Sequence, residues 1–128
     1  MPVTYRIEPE AQFIHTRCSG PVVLNEVREH FITLGQDPAC PSRLDVLLDL
    51  SEMTTVPGSG ELRIVAADIA RIRPRVTFGS CAIVAPATAV FGMSRMFEIF
   101  VERYFAATHV FRSEAEATRW LAHRRDRD

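Results

Sequence analysis

Seven residues in the first half of the chain read Leu44-Asp45-Val46-Leu47-Leu48-Asp49-Leu50, and a second apolar run, residues 78–85, follows in the second half. Both runs are almost continuously apolar, which is typical of parallel strands covered on both faces. Residues 60–73 between them carry apolar side chains at helical spacing. These are Leu62, Val65, Ala66, Ile69 and Ile72. The pattern predicts two buried, parallel neighbouring strands joined by a helix.

Outward from this unit, the flanking segments extend the same alternation. Residues 3–8 and 13–18 predict an N-terminal hairpin, and Asn25 is the expected N-cap of a first helix that ends at Gly35. A third helix is expected over residues 87–106, followed by a short strand over 109–111. Ser113 opens a capping box for a last helix, and the charged tail over 124–128 is expected to fray.

The predicted order is therefore ββαβαβαβα in a single α/β domain spanning residues 1–128. It implies a mixed, mostly parallel sheet of about five strands flanked by four helices. An apolar fraction of 47% with 24% charged residues is ordinary globular composition.

Composition also excludes several functions. A net charge of -1 gives no electrostatic basis for binding nucleic acid, and no run approaches the roughly 20 apolar residues of a membrane span. The chain has no lysine, which excludes Schiff-base and Walker-A lysine chemistry. The three cysteines, Cys18, Cys40 and Cys81, are too widely spaced to suggest a disulfide framework, so a cytoplasmic location is expected.

The loop before the second helix is the first candidate ligand or partner surface, through Thr55, Gly58, Ser59 and Gly60. Two glycines allow close approach to the helix N-terminus, where free N–H groups attract anions. The alternative is that Ser59 simply caps the helix. Asp49 ends a strand where open α/β sheets bind ligands, or it hydrogen-bonds the following turn at Ser51. Asp45 is expected to face a wet edge.

The third helix offers a second candidate surface. Phe91 and Ile99 fall outside its apolar face, beside Arg95, while Gly92 would permit close approach. The set predicts either a contact surface, such as a homodimer interface, or a solvated ladder of ion pairs with Glu98 and Glu102.

Nothing in the sequence predicts catalysis, a cofactor or a metal. The four histidines show no metal-ligand spacing. We therefore expect a chain that is not an enzyme.

Several motifs together resemble a known superfamily. They are Val46-Leu47-Leu48-Asp49-Leu50-Ser51, Pro57-Gly58-Ser59-Gly60 and Phe91-Gly92-Met93-Ser94-Arg95-Met96-Phe97, with the segments 110–112 and 116–121. With the order of elements, they resemble the SpoIIAA-like branch of the STAS superfamily. Pro57 and Gly58 stand where the anti-sigma-factor antagonists of that superfamily carry an acidic residue and a serine.

The resemblance implies a regulatory or ligand-binding module that takes a small ligand or a protein partner. A partner switch phosphorylated at Ser59 is one alternative. Another is a carrier of an apolar, lipid-like molecule, because STAS-like domains resemble Sec14-type folds and the third helix is rich in Phe and Met.

Overall fold

A computed structural model describes residues 2–125, which form five strands and four helices in the predicted order ββαβαβαβα. The elements are β1 (Val3–Glu8), β2 (Phe13–Gly20), α1 (Leu24–Gln36), β3 (Arg43–Met53), α2 (Ser59–Ile72), β4 (Thr77–Val84), α3 (Thr88–Val101), β5 (Phe105–Phe111) and α4 (Glu114–Arg125). None of the helices within this described range has the length and apolar character needed to cross a bilayer.

The strands form one sheet in the order β1-β2-β3-β4-β5. β1 pairs with β2 antiparallel, and every other pair is parallel. The predicted pairing of the two apolar strands is confirmed, with Leu47 opposite Ala82 and Leu48 opposite Ile83. Because side chains alternate along a strand, Leu47 and Leu48 belong to opposite faces of the sheet.

The two faces are covered unequally. The main apolar core lies between the sheet and α1, α2 and α3, and it includes Leu34, Ile69 and Phe97 from those helices. The opposite face carries a smaller cluster in which Ala117 and Leu121 of α4 pack on Leu47, Ala82 and Val84. A site on one face is therefore separated from the other face by the sheet.

The boundaries of α3 and β5 differ from the prediction. The helix ends at Val101 rather than at residue 106, and β5 begins at Phe105 rather than at residue 109. Phe105 pairs with Phe78 of β4, and their rings lie 4.9 Å apart. Strand pairing and this ring contact outweigh the helical spacing of the apolar residues around Tyr104.

The predicted start and end of α1 were also wrong. Val23 is the N-cap, and its N–H donates to Glu26 at 2.9 Å, so Asn25 lies inside the first turn. Gly35 lies within the last turn, because the helix continues to Gln36.

Asp45 does not face a wet edge. Its side chain is 2% exposed, and Oδ2 lies 2.7 Å from Arg125 Nη1. The N–H of Ser80 donates to Oδ1 at 2.8 Å. A Cβ atom at Gly79 would overlap the same Oδ1 atom, so a larger residue at this position would force the Asp45 carboxylate to move.

The predicted fraying of the tail is wrong for its first two residues. Arg124 and Arg125 continue α4, and Arg124 Nε donates to the Ser80 hydroxyl at 2.8 Å. Binding to buried acceptors on β3 and β4 orders these two arginines. The rest of the predicted tail, residues 126–128, lies outside the described residues.

Candidate functional site

A cavity of about 420 Å³ lies between the sheet and the layer formed by α1, α2 and α3. Its floor is formed by side chains of the sheet, most of them from β2, β3 and β4, and its walls come from the three helices. Several floor positions are occupied by short side chains, which leave the space above them unfilled. Residues lining the floor include Ile14, Thr16, Cys18, Val46, Leu48, Cys81 and Ile83. Those lining the walls include Val27, Phe31, Leu62, Val65, Met93 and Phe97.

The rim of the cavity is marked by apolar side chains that also reach solvent. Val23 is 56% exposed and Val56 is 50% exposed, and both line the cavity together with Pro57 and Glu61. Val23 lies on the β2–α1 connection, Val56 and Pro57 lie on the β3–α2 connection, and Glu61 lies in the first turn of α2, so the cavity opens between the two connections. Exposed apolar side chains at an opening are typical of an entrance for apolar molecules.

Thr55 ties the two connections together. Its hydroxyl donates to the carbonyl of Val22 at 3.0 Å and accepts the N–H of Val22 at 3.1 Å. Thr55 also lines the cavity, so the loop predicted from sequence to bind a ligand contributes to the rim.

Ser94 contributes an unusual polar atom to the wall. The residue is 1% exposed, and its Oγ has no hydrogen-bond partner among residues 2–125. An unpaired buried hydroxyl is costly, so in folded proteins such groups are nearly always bonded. A ligand with a hydrogen-bonding group would satisfy it.

Three titratable groups that line the cavity, His30, Cys18 and Cys81, are neutral near pH 7. Burial lowers the pKa of His30 to about 4. Burial raises the pKa of the Cys18 thiol to about 11 and that of Cys81 to about 12, with Asp49 and Glu98 respectively adding to the effect. Both thiols are therefore protonated, and neither is an activated nucleophile. Cys81 is 2% exposed, as is typical of a small core residue.

The other predicted residues of the second-helix loop lie outside the cavity. Ser59 is not the N-cap, because the helix begins at Ser59 and Gly58 occupies the cap position. The Gly58 N–H donates to Glu61 Oε1 at 3.2 Å, which supplies the capping bond that Ser59 was expected to make. Ser59 and Gly60 are exposed. A Cβ atom added at Gly58 or at Gly60 would contact nothing within 4 Å.

The predicted α3 residues form a surface separate from the cavity. Arg95 Nε lies 3.5 Å from Glu98 Oε1, within the helix, and Ile99 is 65% exposed. Phe91 is partly covered by the guanidinium of Arg112, 4.3 Å from the ring centre. Gly92 is exposed, and no neighbour closely approaches it.

Asp49 lies on the face opposite to the cavity. Its Oδ1 accepts the N–H of Ser51 at 2.9 Å, as predicted, but Ser51 lies within β3, which continues to Met53. The predicted end of the strand at Asp49 and the turn after it are therefore wrong. The structure also brings together ligand atoms of His15, Asp49 and Glu114, all within 4.8 Å of one another. Sequence reasoning missed this group because its members come from β2, β3 and the start of α4.

No family model matches the chain, and no curated protein matches it in sequence.

Proposed function

We propose that this chain is a non-enzymatic module that binds a neutral, largely apolar small molecule in the cavity between α1, α2, α3 and the sheet. The observation that carries the proposal is the cavity of about 420 Å³ with a predominantly apolar lining. Small-molecule sites commonly occupy roughly 300–1,000 Å³ and combine an apolar lining with a few polar groups.

Ordinary packing is a poor explanation for a space of this size. Protein interiors are close-packed, and voids larger than a water molecule are few. An apolar cavity is also a poor site for water, because each buried water needs about three hydrogen bonds. An apolar ligand recovers the dispersion contacts that the lining of an empty cavity would lose.

The polar groups limit the chemistry of the ligand. His30, Cys18 and Cys81 are uncharged near neutral pH, so none of these three groups offers a counter-ion for a charged group. The unpaired hydroxyl of Ser94 favours a ligand with one hydroxyl or carbonyl group on an apolar body. Glu61 at the rim disfavours an anionic group near the entrance.

We also propose that the chain belongs to the SpoIIAA-like branch of the STAS superfamily and that it is located in the cytoplasm. The order ββαβαβαβα supports the first of these. The alternative of a partner switch phosphorylated at Ser59 is supported only by the exposure of that residue. The alternative of a homodimer through Phe91, Arg95 and Ile99 is supported only by the exposed part of α3. The apolar cavity favours the ligand carrier over both.

The experiment is a fluorescence titration with N-phenyl-1-naphthylamine, a neutral apolar probe that becomes bright in apolar surroundings. Val65→Trp places an indole into the cavity from α2. Ile64→Trp makes the same kind of change at the neighbouring position, which is 39% exposed and outside the lining.

We expect saturable binding at one site in the wild type and in Ile64→Trp. In Val65→Trp the affinity should fall by about tenfold or more, because the indole occupies space that the probe needs, and a tenfold loss corresponds to about 1.4 kcal/mol. Met93→Trp, which fills the space from α3, provides a second blocking variant, and circular dichroism checks the fold of each. Absence of saturable binding in the wild type, or an equal loss in both α2 variants, contradicts the proposal.

A further inference from the structure

A second group of residues converges on the face of the sheet that α4 covers. His15 lies on β2, Asp49 on β3, and Glu114 begins α4. Each offers one ligand atom, and the three atoms lie within 4.8 Å of one another. Because the sheet separates this group from the cavity, an inference about it does not depend on the proposed function.

One member of the group has a buried atom without a bonding partner, and a second member is largely buried. The Nε2 atom of His15 is buried and has no hydrogen-bond partner within the described range 2–125. Asp49 is 8% exposed, and its Oδ1 accepts the N–H of Ser51. A buried imidazole nitrogen without such a partner is unfavourable unless something binds it.

The charges around the group favour a cation. Asp49 and Glu114 contribute two carboxylates, and imidazole is a neutral donor when it binds metal. Arg17, the strand partner of Asp49, forms an ion pair with Glu52 at 2.7 Å. That pairing reduces the repulsion that its guanidinium would exert on a bound cation.

We propose that His15, Asp49 and Glu114 bind a divalent transition-metal ion of the Zn²⁺ type. One imidazole nitrogen and two carboxylate oxygens are a donor set that suits Zn²⁺, at distances of about 2.0–2.2 Å. Glu114 is exposed, so its side chain can move to close the ligand set around the ion. Since the ligands come from two strands and α4, the ion would hold the last helix against the sheet.

The test uses Zn²⁺ with the purified full chain, measured by isothermal titration calorimetry and by thermal unfolding with Zn²⁺ or EDTA. His15→Gln removes the nitrogen ligand. Asp49→Asn removes a charged ligand, but its amide oxygen can still accept the Ser51 N–H. His123→Gln is the matched control, because His123 is exposed on α4 and outside the group.

We expect one Zn²⁺ per chain and a higher melting temperature with Zn²⁺ in the wild type and in His123→Gln. Affinity should fall by about tenfold or more in His15→Gln and Asp49→Asn. Glu114→Gln should show the same loss of affinity for Zn²⁺. Because Glu114 is exposed, this substitution should affect the fold least. A wild type that binds no Zn²⁺, or His15→Gln and Glu114→Gln variants that bind it as tightly as the control, overturns the assignment.

Discussion

Replacing Ser94 by alanine should stabilise the protein, although it removes a polar group from the interior. Ser94 is 1% exposed, and its Oγ lacks a partner among the described residues. An unsatisfied buried hydroxyl costs roughly 1–3 kcal/mol, and alanine has a higher helix propensity than serine. We expect Ser94→Ala to raise the free energy of unfolding by about 1 kcal/mol, which corresponds to about 4 °C in melting temperature for a domain of this size.

Two other serines provide matched controls for the same substitution. The hydroxyl of Ser113 accepts the N–H of Glu116 at 3.3 Å at the start of α4, so Ser113→Ala should lower the free energy of unfolding by about 1 kcal/mol. Ser59 is exposed, and Gly58 occupies the cap position, so Ser59→Ala should change the free energy of unfolding by less than about 0.5 kcal/mol.

Urea denaturation of the three variants, followed by circular dichroism, measures these differences. The structure predicts that the free energy of unfolding rises in Ser94→Ala, falls in Ser113→Ala and is almost unchanged in Ser59→Ala. If Ser94→Ala lowers the free energy of unfolding by about 1 kcal/mol or more, its hydroxyl is bonded in the folded protein. That result would remove the polar anchor from the proposed ligand site.

Two further predictions concern Gly79 and His30. Gly79→Ala should lower the free energy of unfolding, measured by urea denaturation, by about 2 kcal/mol or more, because the added Cβ overlaps Asp45 Oδ1. A loss below about 0.5 kcal/mol would show that this carboxylate can relocate freely. Burial lowers the pKa of His30 from 6.5 to about 4, so the unfolded state takes up its proton first and stability should fall as the pH drops from about 6.5 towards 4. The urea midpoint of His30→Gln should decline less over this pH range, and an equal decline would contradict the assignment.

The order of elements could be predicted because local patterns specify it. The continuous apolar runs of β3 and β4 indicated strands covered on both faces, and the capping box at Ser113 marked the start of α4. The end of α3 could not be predicted from the same kind of pattern. Apolar residues continue at helical spacing beyond Val101, and only pairing with β4 shows that Phe105 belongs to a strand.

Part of the candidate site was visible in the sequence. Ser94 lies in the buried stripe of α3 with Val90, Phe97 and Val101, at spacings of four, three and four residues. A serine within such a stripe is a signal of a polar atom facing the interior. The cavity itself was not predictable, because its volume depends on how far the helices stand above short side chains of the floor.

The group of His15, Asp49 and Glu114 depends on tertiary structure in a different way. It requires the register between β2 and β3 and the placement of the first turn of α4 beside them. Neither this register nor this placement can be obtained from residue spacing along the chain, so the histidines showed no metal-ligand spacing in the sequence.

The location of the bound probe is the central question, and nuclear Overhauser effects between N-phenyl-1-naphthylamine and labelled methyl groups answer it. Our account predicts contacts to the methyl groups of Leu48 and Ile83, which line the cavity. It predicts no contacts to Leu47 and Leu121, which pack on the opposite face of the sheet. Contacts confined to that face or to exposed methyl groups such as those of Ile99, or no contacts at saturating probe, would contradict ligand binding in the cavity.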